Sequence, residues 1–391
     1  VSARRWWFVR HWVSTLIVFL LTVLLVVSCA FLWVASQVLL EPDHNLSKPV
    51  TLVKAVTESS VELATDKDTA TVERDGVYGL DWPDGHAVVG AITARHRGSV
   101  TRTLTEVTGA LRPGIKVFVD PDVWPSDPQN ALGVPFREVT VHGPEGALPA
   151  WQVDGSGSTW VLFVHGVDGT RSGGLRPLTT VHRLGLPMLL ITYRGDKGAP
   201  KSLHHLGMTE WQDLDAAAAY AQSQGAMHFI LYGDSMGGSI VTRFMHKSAR
   251  AADVIGMVLD APVLNWGNVL WRQAAKLHLA PFTYPYRWLI GWRVGVSWSA
   301  LNEEAQASSF TVPILLFQGL ADPLVPPSDS ATFCSRAADC RYVAVPGAGH
   351  IQSWNVNPVD YDRRLAQFLG PLTGRPVTFA PRAGVFAVDS R

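Results

Sequence analysis

Cysteine is nearly missing from this chain: Cys29, Cys334 and Cys340 are the only three in 391 residues. So small a number excludes a disulfide framework as the basis of the fold and a zinc site ligated by cysteines. Net charge is also missing, with 33 Lys and Arg against 33 Asp and Glu, so nothing advertises a nucleic-acid partner. No Gly-x-Gly-x-x-Gly follows a predicted strand and no Walker loop occurs, and no cofactor is expected. His204-His205 is the one tempting metal pair, but adjacent side chains diverge and no further ligand pattern supports it. It reads as surface or pocket wall, and no metal is expected. Lysine is scarce beside arginine and the sequence opens on Val1, both of which fit a GC-rich bacterial gene with a GUG start read literally.

What the chain does have is 47% hydrophobic and 17% charged residues, a globular composition with room for one large domain plus an appendage. It also has one long apolar run. From Trp12 to Leu40 no side chain is charged, and Val, Leu, Ile and Phe dominate. A membrane-spanning helix needs about 20 such residues, and this run exceeds that. It also exceeds the roughly 7–15-residue core of a cleaved signal peptide, which favours an uncleaved signal anchor. Arg4, Arg5 and Arg10 precede the run while Glu41 and Asp43 follow it, so residues 1–11 are expected in the cytoplasm and the remainder outside the cell membrane. Trp6, Trp7 and Trp12 suit the interfacial belt. Val26-Val27-Ser28-Cys29 resembles a bacterial lipobox, although the residues after Cys29 stay apolar where a lipoprotein becomes polar.

Residues 41–135 read as a small β-rich domain. Short apolar segments such as Val50–Val56, Ala87–Ile92 and Ile115–Val119 alternate with turn signals at Asp75-Gly76, Pro83-Asp84-Gly85 and Arg112-Pro113-Gly114. Arg95, His96, Arg97 and Arg102 read as a solvated basic strand face, with lipid head groups or a polyanion as the alternative. From Phe136 a hairpin leads into alternating apolar strands and helical stretches, ending in a helix from about Pro358 to Leu369. Continuous apolar strands separated by helices predict a mostly parallel sheet covered on both faces, with its site at the carboxyl ends of the strands.

The site is expected around Gly233-Asp234-Ser235-Met236-Gly237-Gly238. An apolar run, His228–Tyr232, enters this Gly-x-Ser-x-Gly turn and a helical pattern leaves it, which lifts a serine hydroxyl onto a tight strand-to-helix turn. A serine nucleophile needs a base, and the base needs an acid to orient it. In the order Ser, acid, His, the only histidine after Asp322 is His350, in Gly347-Ala348-Gly349-His350. Asp322, in Gly319-Leu320-Ala321-Asp322-Pro323, is the preferred acid, and Asp260 at the end of an earlier strand is its rival. The oxyanion donors are expected to be the backbone amides of Met236 and of Val167, in His165-Gly166-Val167-Asp168-Gly169, where His165 shapes the loop.

Together with Tyr193-Arg194-Gly195 and Trp211-Gln212-Asp213-Leu214, these motifs resemble the α/β-hydrolase superfamily. Within it they are similar to single-pass membrane-anchored serine hydrolases grouped with lysophospholipases and esterases. The resemblance covers residues 136–370 and does not reach the β-rich segment or the tail, 371–391, which is expected to be irregular. The stretch after Arg194-Gly195 lacks the second aromatic that many relatives carry. Residues 262–311 form an insertion expected to be a helical cap, with Trp266, Trp271, Trp288 and Trp292 as candidates for an apolar, lipid-facing acyl pocket. Cys334 and Cys340 flank a helix end and a strand start, and an exported domain would permit them to pair.

The expectation is therefore a membrane-anchored serine hydrolase of α/β-hydrolase fold, with a β-rich N-terminal domain and one N-terminal transmembrane helix. It would cleave carboxylic esters of small-molecule or lipid acyl substrates. A thioesterase, an acyltransferase or a peptidase would use the same machinery. A non-catalytic envelope scaffold is the alternative of a different class.

Overall fold

The computed structural model describes residues 2–44, 48–65 and 70–376 of the chain. The side chains of Arg4 and Arg5 and the tail from residue 377 lie outside the described residues. The first element, α1 (Ser2–Leu40), is one continuous helix, and its portion Arg10–Leu40 is long and apolar enough to cross a membrane. Most of its surface is bare. Its last turns are different, because Ser36 and Leu40 are fully buried and Leu40 joins the hydrophobic core of the main sheet. The carbonyl of Leu40 accepts from the His204 amide at 2.7 Å, so this end of the helix is part of the folded body.

The β-rich region is a closed, wholly antiparallel barrel. It comprises β1 (Thr51–Val56), β2 (Ser60–Ala64), β3 (Tyr78–Trp82), β4 (Gly85–His96), β5 (Ser99–Thr108) and β6 (Lys116–Asp120) in the spatial order β1-β2-β5-β4-β3-β6, closed by β1 against β6. Val53, Val61, Leu63, Leu80, Val89, Val100 and Val117 fill its interior, as the two-residue side-chain period of a strand allows. Arg102 departs from the expected solvated basic face. It is completely buried and donates to the carbonyls of Gly90, Val72, Arg74 and Gly76 at 2.7–3.0 Å. The loop 72–76 turns the carbonyls of Val72, Arg74 and Gly76 inward, and a buried guanidinium with five donors satisfies all three.

After a short helix, α2 (Pro128–Leu132), capped by Asp127, the main body begins with the hairpin β7 (Arg137–Gly143) and β8 (Gly146–Val153). There follow β9 (Thr159–Val164), α3 (Leu175–Arg183), β10 (Met188–Ile191), α4 (Trp211–Ser223), β11 (His228–Asp234), α5 (Met236–Lys247) and β12 (Val254–Asp260). The cap helices α6 (Trp266–Lys276) and α7 (Thr283–Val294) precede β13 (Ile314–Gly319), α8 (Pro327–Arg336), β14 (Cys340–Val345), α9 (Ser353–Val356) and α10 (Pro358–Thr373). The last helix thus runs one turn beyond the expected end at Leu369, until Gly374 terminates it in the left-handed conformation. The eight strands are ordered β14-β13-β12-β11-β9-β10-β8-β7, and β8 alone runs antiparallel to its neighbours.

Alternate residues of the central strands serve opposite faces. Leu162, Leu231, Leu259 and Leu316 pack against α4, α5 and α8, whereas Phe163, Ile230, Val258 and Leu315 pack against α3 and α10. Val77, Val88, Val123 and Trp124 of the barrel and the segment that leaves it belong to this second core, so the barrel is packed onto the body of the large sheet. Cys334 and Cys340 form a disulfide that joins α8 to β14, with Cα atoms 5.2 Å apart.

Replacing Arg102 by alanine is expected to lower stability by about 3 kcal/mol or more, because several buried carbonyls lose their donor. Chemical denaturation of the parent and Arg102→Ala would measure it, and a change below about 1 kcal/mol would mean that the barrel does not need this residue.

Candidate active site

Ser235 sits between β11 and α5 with φ 52° and ψ −116°, a strained conformation for a residue with a side chain. The turn is possible because its neighbours are bare. A Cβ on Gly237 would stand 2.1 Å from the Val164 carbonyl oxygen, and one on Gly166 would stand 2.8 Å from the Ser235 Cβ. The serine is consequently held at the carboxyl ends of β9 and β11, at the N-terminus of α5.

His350 Nε2 lies 2.8 Å from Ser235 Oγ, and His350 Nδ1 lies 2.8 Å from Asp322 Oδ2. Asp322 is buried and also accepts from the Leu324 and Val325 amides at 2.7 and 2.9 Å and from Gln318 Nε2 at 3.1 Å. Burial pushes its carboxyl up, but the imidazole and the two amides outweigh this and hold it below the ordinary aspartate range. The rival Asp260 is turned elsewhere: its Oδ1 accepts from Ser353 Oγ at 2.8 Å, and burial raises its carboxyl to about 6.

The loop after β9 approaches the serine through Gly166, and Gly169 N closes a turn onto the Gly166 carbonyl at 3.2 Å. Val167 and Met236 thus lie on the two segments that flank Ser235. His165 stands beneath this loop, with Nδ1 2.9 Å from the Gly166 carbonyl and Nε2 2.9 Å from Asp196 Oδ2, and Tyr193 also donates to Gly166 O at 2.7 Å. His204 is buried rather than on the surface, with Nε2 3.2 Å from Asp168 Oδ1. Asp168 needs that support because it holds a positive φ of 54°. Among the described residues no group of three His, Cys, Asp or Glu side chains is arranged to hold a metal ion.

Residues 178–375, just over half of the chain, match the prolyl oligopeptidase family. The chain belongs to the prolyl oligopeptidase family. Residues 52–120, the barrel, match a domain of unknown function, DUF8805. An uncharacterized protein of Mycobacterium tuberculosis is 28% identical over 222 residues, which cover 55% of this chain and 72% of that one. Two crystal forms of an esterase from Pyrococcus furiosus superpose with TM-scores of 0.51 and 0.52 at 19% and 21% identity. They cover 62% and 64% of this chain and 95% of theirs. The body therefore has the α/β-hydrolase fold, and the protein is a hydrolase of the α/β-hydrolase type.

In this member of the prolyl oligopeptidase family the barrel reaches the histidine loop, a contact that the sequence did not disclose. Arg74 Nη1 donates to Gln352 Oε1 at 3.0 Å, and Asn355 Nδ2 donates to the carbonyls of Val77 and Pro121, both at 2.7 Å. From beneath, Arg176 donates to the Ile351 carbonyl at 2.6 Å and pairs with Asp122 and Asp234 at 3.3 and 3.2 Å. A cavity of about 440 Å³ lies between barrel and body, lined by Asp81, Trp82, Phe118, Asp122, Gly169 and Ile351, next to His350 in the chain.

The cap tryptophans are placed differently from the expected acyl pocket. Trp266 is buried, and its indole donates to the Leu206 carbonyl and to Ser239 Oγ at 3.0 and 3.1 Å. Trp271 meets Tyr284 edge-on, while Trp288 and Trp292 are 72% and 68% exposed, too open to wall an enclosed pocket. These rings sit on the outward side of α7 because its inward side is occupied by Thr283, Ile290 and Val294.

The raised carboxyl of Asp260 has a measurable consequence. Its folded value of about 6 exceeds the ordinary value of about 4 for an unfolded aspartate, so the native state holds this proton longer and stability falls as pH rises between them. Asp260→Asn should lack that fall. The stability difference, variant minus parent, should grow from about pH 4 to about pH 6 and then level off in chemical denaturation. A difference independent of pH would exclude this origin.

Proposed function

We propose that Ser235 is the nucleophile of a carboxylic ester hydrolase, with His350 as general base and acid and Asp322 orienting it. The observation that carries this reading is the unbroken chain Asp322–His350–Ser235, with 2.8 Å at both links. Ser235 Oγ attacks the acyl carbonyl carbon while His350 Nε2 takes the hydroxyl proton. The oxygen that becomes negative is met by the amides of Val167 and Met236. His350 then returns the proton to the departing alkoxide, leaving an acyl group on Ser235. A water activated by the same imidazole releases the acid. The buried Asp322 keeps Nδ1 protonated, so that Nε2 is free to accept.

A peptide substrate is the second reading, favoured by the match to the prolyl oligopeptidase family and by the cavity beneath the barrel, which Ile351 lines. Lipid or acyl-chain esters are the favoured ester class because α1 carries the apolar span. In this reading the amino terminus is cytoplasmic, α1 anchors the chain, and barrel and hydrolase body stand outside the membrane. Arg10 before the span, Glu41 and Asp43 after it, and the disulfide at Cys334 and Cys340 support that orientation.

The full-length protein in detergent or nanodiscs should label with a fluorophosphonate, and Ser235→Ala and His350→Ala should not. Asp322→Asn should keep its fold and lose about 10³–10⁴ in kcat, as expected when the imidazole tautomer is no longer held. p-Nitrophenyl esters of rising chain length, set beside aminoacyl and dipeptidyl p-nitroanilides, separate the two readings. Anilide turnover without ester turnover would replace the esterase reading by the peptidase one, and a folded parent that stays unlabelled would remove both.

A further inference from the structure

The cap carries a surface that the hydrolase chemistry does not use. On α7 the side chains of Tyr284, Trp288 and Trp292 follow one another at a spacing of four residues, so they form one stripe, and they are 68%, 72% and 68% exposed. Leu277 and Phe282, on the connection from α6, continue it and are 69% and 48% exposed. An apolar face of this size on a folded domain marks an interaction site.

Its neighbour is α1. Tyr286 donates to the Ala35 carbonyl at 2.8 Å, Arg293 donates to Ser36 Oγ at 2.5 Å and to Gln37, and its guanidinium lies 4.4 Å from the centre of the Trp33 ring. These contacts set the height of the cap along the helix. Counting about 20 residues at 1.5 Å each from Trp12, the hydrocarbon layer ends near Phe31. Residues 33–37, which hold the cap, therefore stand at the level of the lipid head groups, where tryptophan and tyrosine are favoured. On α7 the exposed stripe lies on the side away from Tyr286 and Arg293, whereas Leu277 and Phe282 border α1. Between the two elements lies an apolar cavity of about 390 Å³, lined by Phe31, Leu32, Ala35, Leu277, Leu279 and Phe282. Such a lining offers water few partners.

Charge points the same way. Between Asp260 and Glu303 the sequence has no acidic residue, while Arg272, Lys276, Arg287 and Arg293 are basic. None of the four pairs with a carboxylate among the described residues. Arg272 is taken up by the carbonyls of Asp322 and Val325 and Arg293 by α1, which leaves Lys276 exposed and Arg287 stacked on Trp298, and such cations beside an aromatic stripe complement anionic lipid head groups.

We propose that the α6–α7 face of the cap is seated in the outer leaflet on anionic phospholipid, with an acyl chain of such a lipid occupying the cavity between the cap and α1. The inference rests on the reading of α1 as a membrane anchor, and it adds that the hydrolase body is held against the bilayer rather than tethered above it. It also accounts for the outward cap tryptophans, which are needed at the membrane and not at Ser235.

Spin labels test both levels separately. In a Cys29→Ser background, which removes the exposed free thiol, single labels are placed through Leu24→Cys, Leu277→Cys, Trp288→Cys and Met227→Cys. The protein is reconstituted in nanodiscs of phosphatidylcholine with phosphatidylglycerol, and relaxation by oxygen is compared with relaxation by a water-soluble nickel chelate. Labels at 277 and 288 should show an oxygen-to-nickel ratio several-fold above that at 227, which is exposed at the opposite end of the sheet. The label at 24 should show the highest ratio. Lipid-like behaviour at 24 with aqueous behaviour at 277 and 288 would overturn the seating and leave the anchor intact. Aqueous behaviour at 24 would overturn the anchor reading and the seating with it.

Discussion

One buried guanidinium holds the working parts of this molecule together. Arg176, at the start of α3, is 3% exposed and pairs with Asp234, directly before Ser235, and with Asp122, at the exit of the barrel. It also donates to the carbonyl directly after His350. Nucleophile strand, histidine loop and barrel exit thus converge on a single charge. Burying it is costly, and only the surrounding carboxylates offset that cost. Burial drives the carboxyls of Asp234 and Asp260 upward, and the Arg176 guanidinium counters this only in part. Asp234 is turned to Arg176 and Asp260 to Ser353, and Asp322, supplied with two backbone amides, is the carboxylate that meets the imidazole.

The barrel acquires a definite role from this arrangement. Arg102 gathers the carbonyls of loop 72–76, that loop presents Arg74 and the Val77 carbonyl, and these grip Gln352 and Asn355 two and five residues beyond His350. The barrel interior is thus connected to the histidine loop by hydrogen bonds of both side-chain and main-chain atoms. The barrel also closes one side of the cavity beside Ile351. At the opposite side, α1 ends inside the hydrophobic core at Leu40, and Asp43 N donates to Asp168 of the loop next to the serine at 2.8 Å. The end of α1 is thus bonded both to the loop after β9 and to the cap.

The sequence alone determined the elements whose signal is local. A charge-free run longer than a bilayer needs, the Gly-x-Ser-x-Gly turn between an apolar strand and a helix, the alternation of strands and helices after Phe136, and a single histidine after Asp322 are all patterns of neighbouring residues or of chain order. Side-chain periodicity and turn chemistry are short-range physics, and they can be read along a line. Only the tertiary structure set Asp322 rather than Asp260 against His350, buried Arg102 inside the barrel and His204 beneath the loop, and turned Trp288 and Trp292 outward. It alone brought Arg74 and Asn355 to the histidine loop. These outcomes depend on which distant groups satisfy each buried charge and carbonyl. That accounting closes only in three dimensions, because a buried donor or acceptor must be paired whatever its separation in the chain.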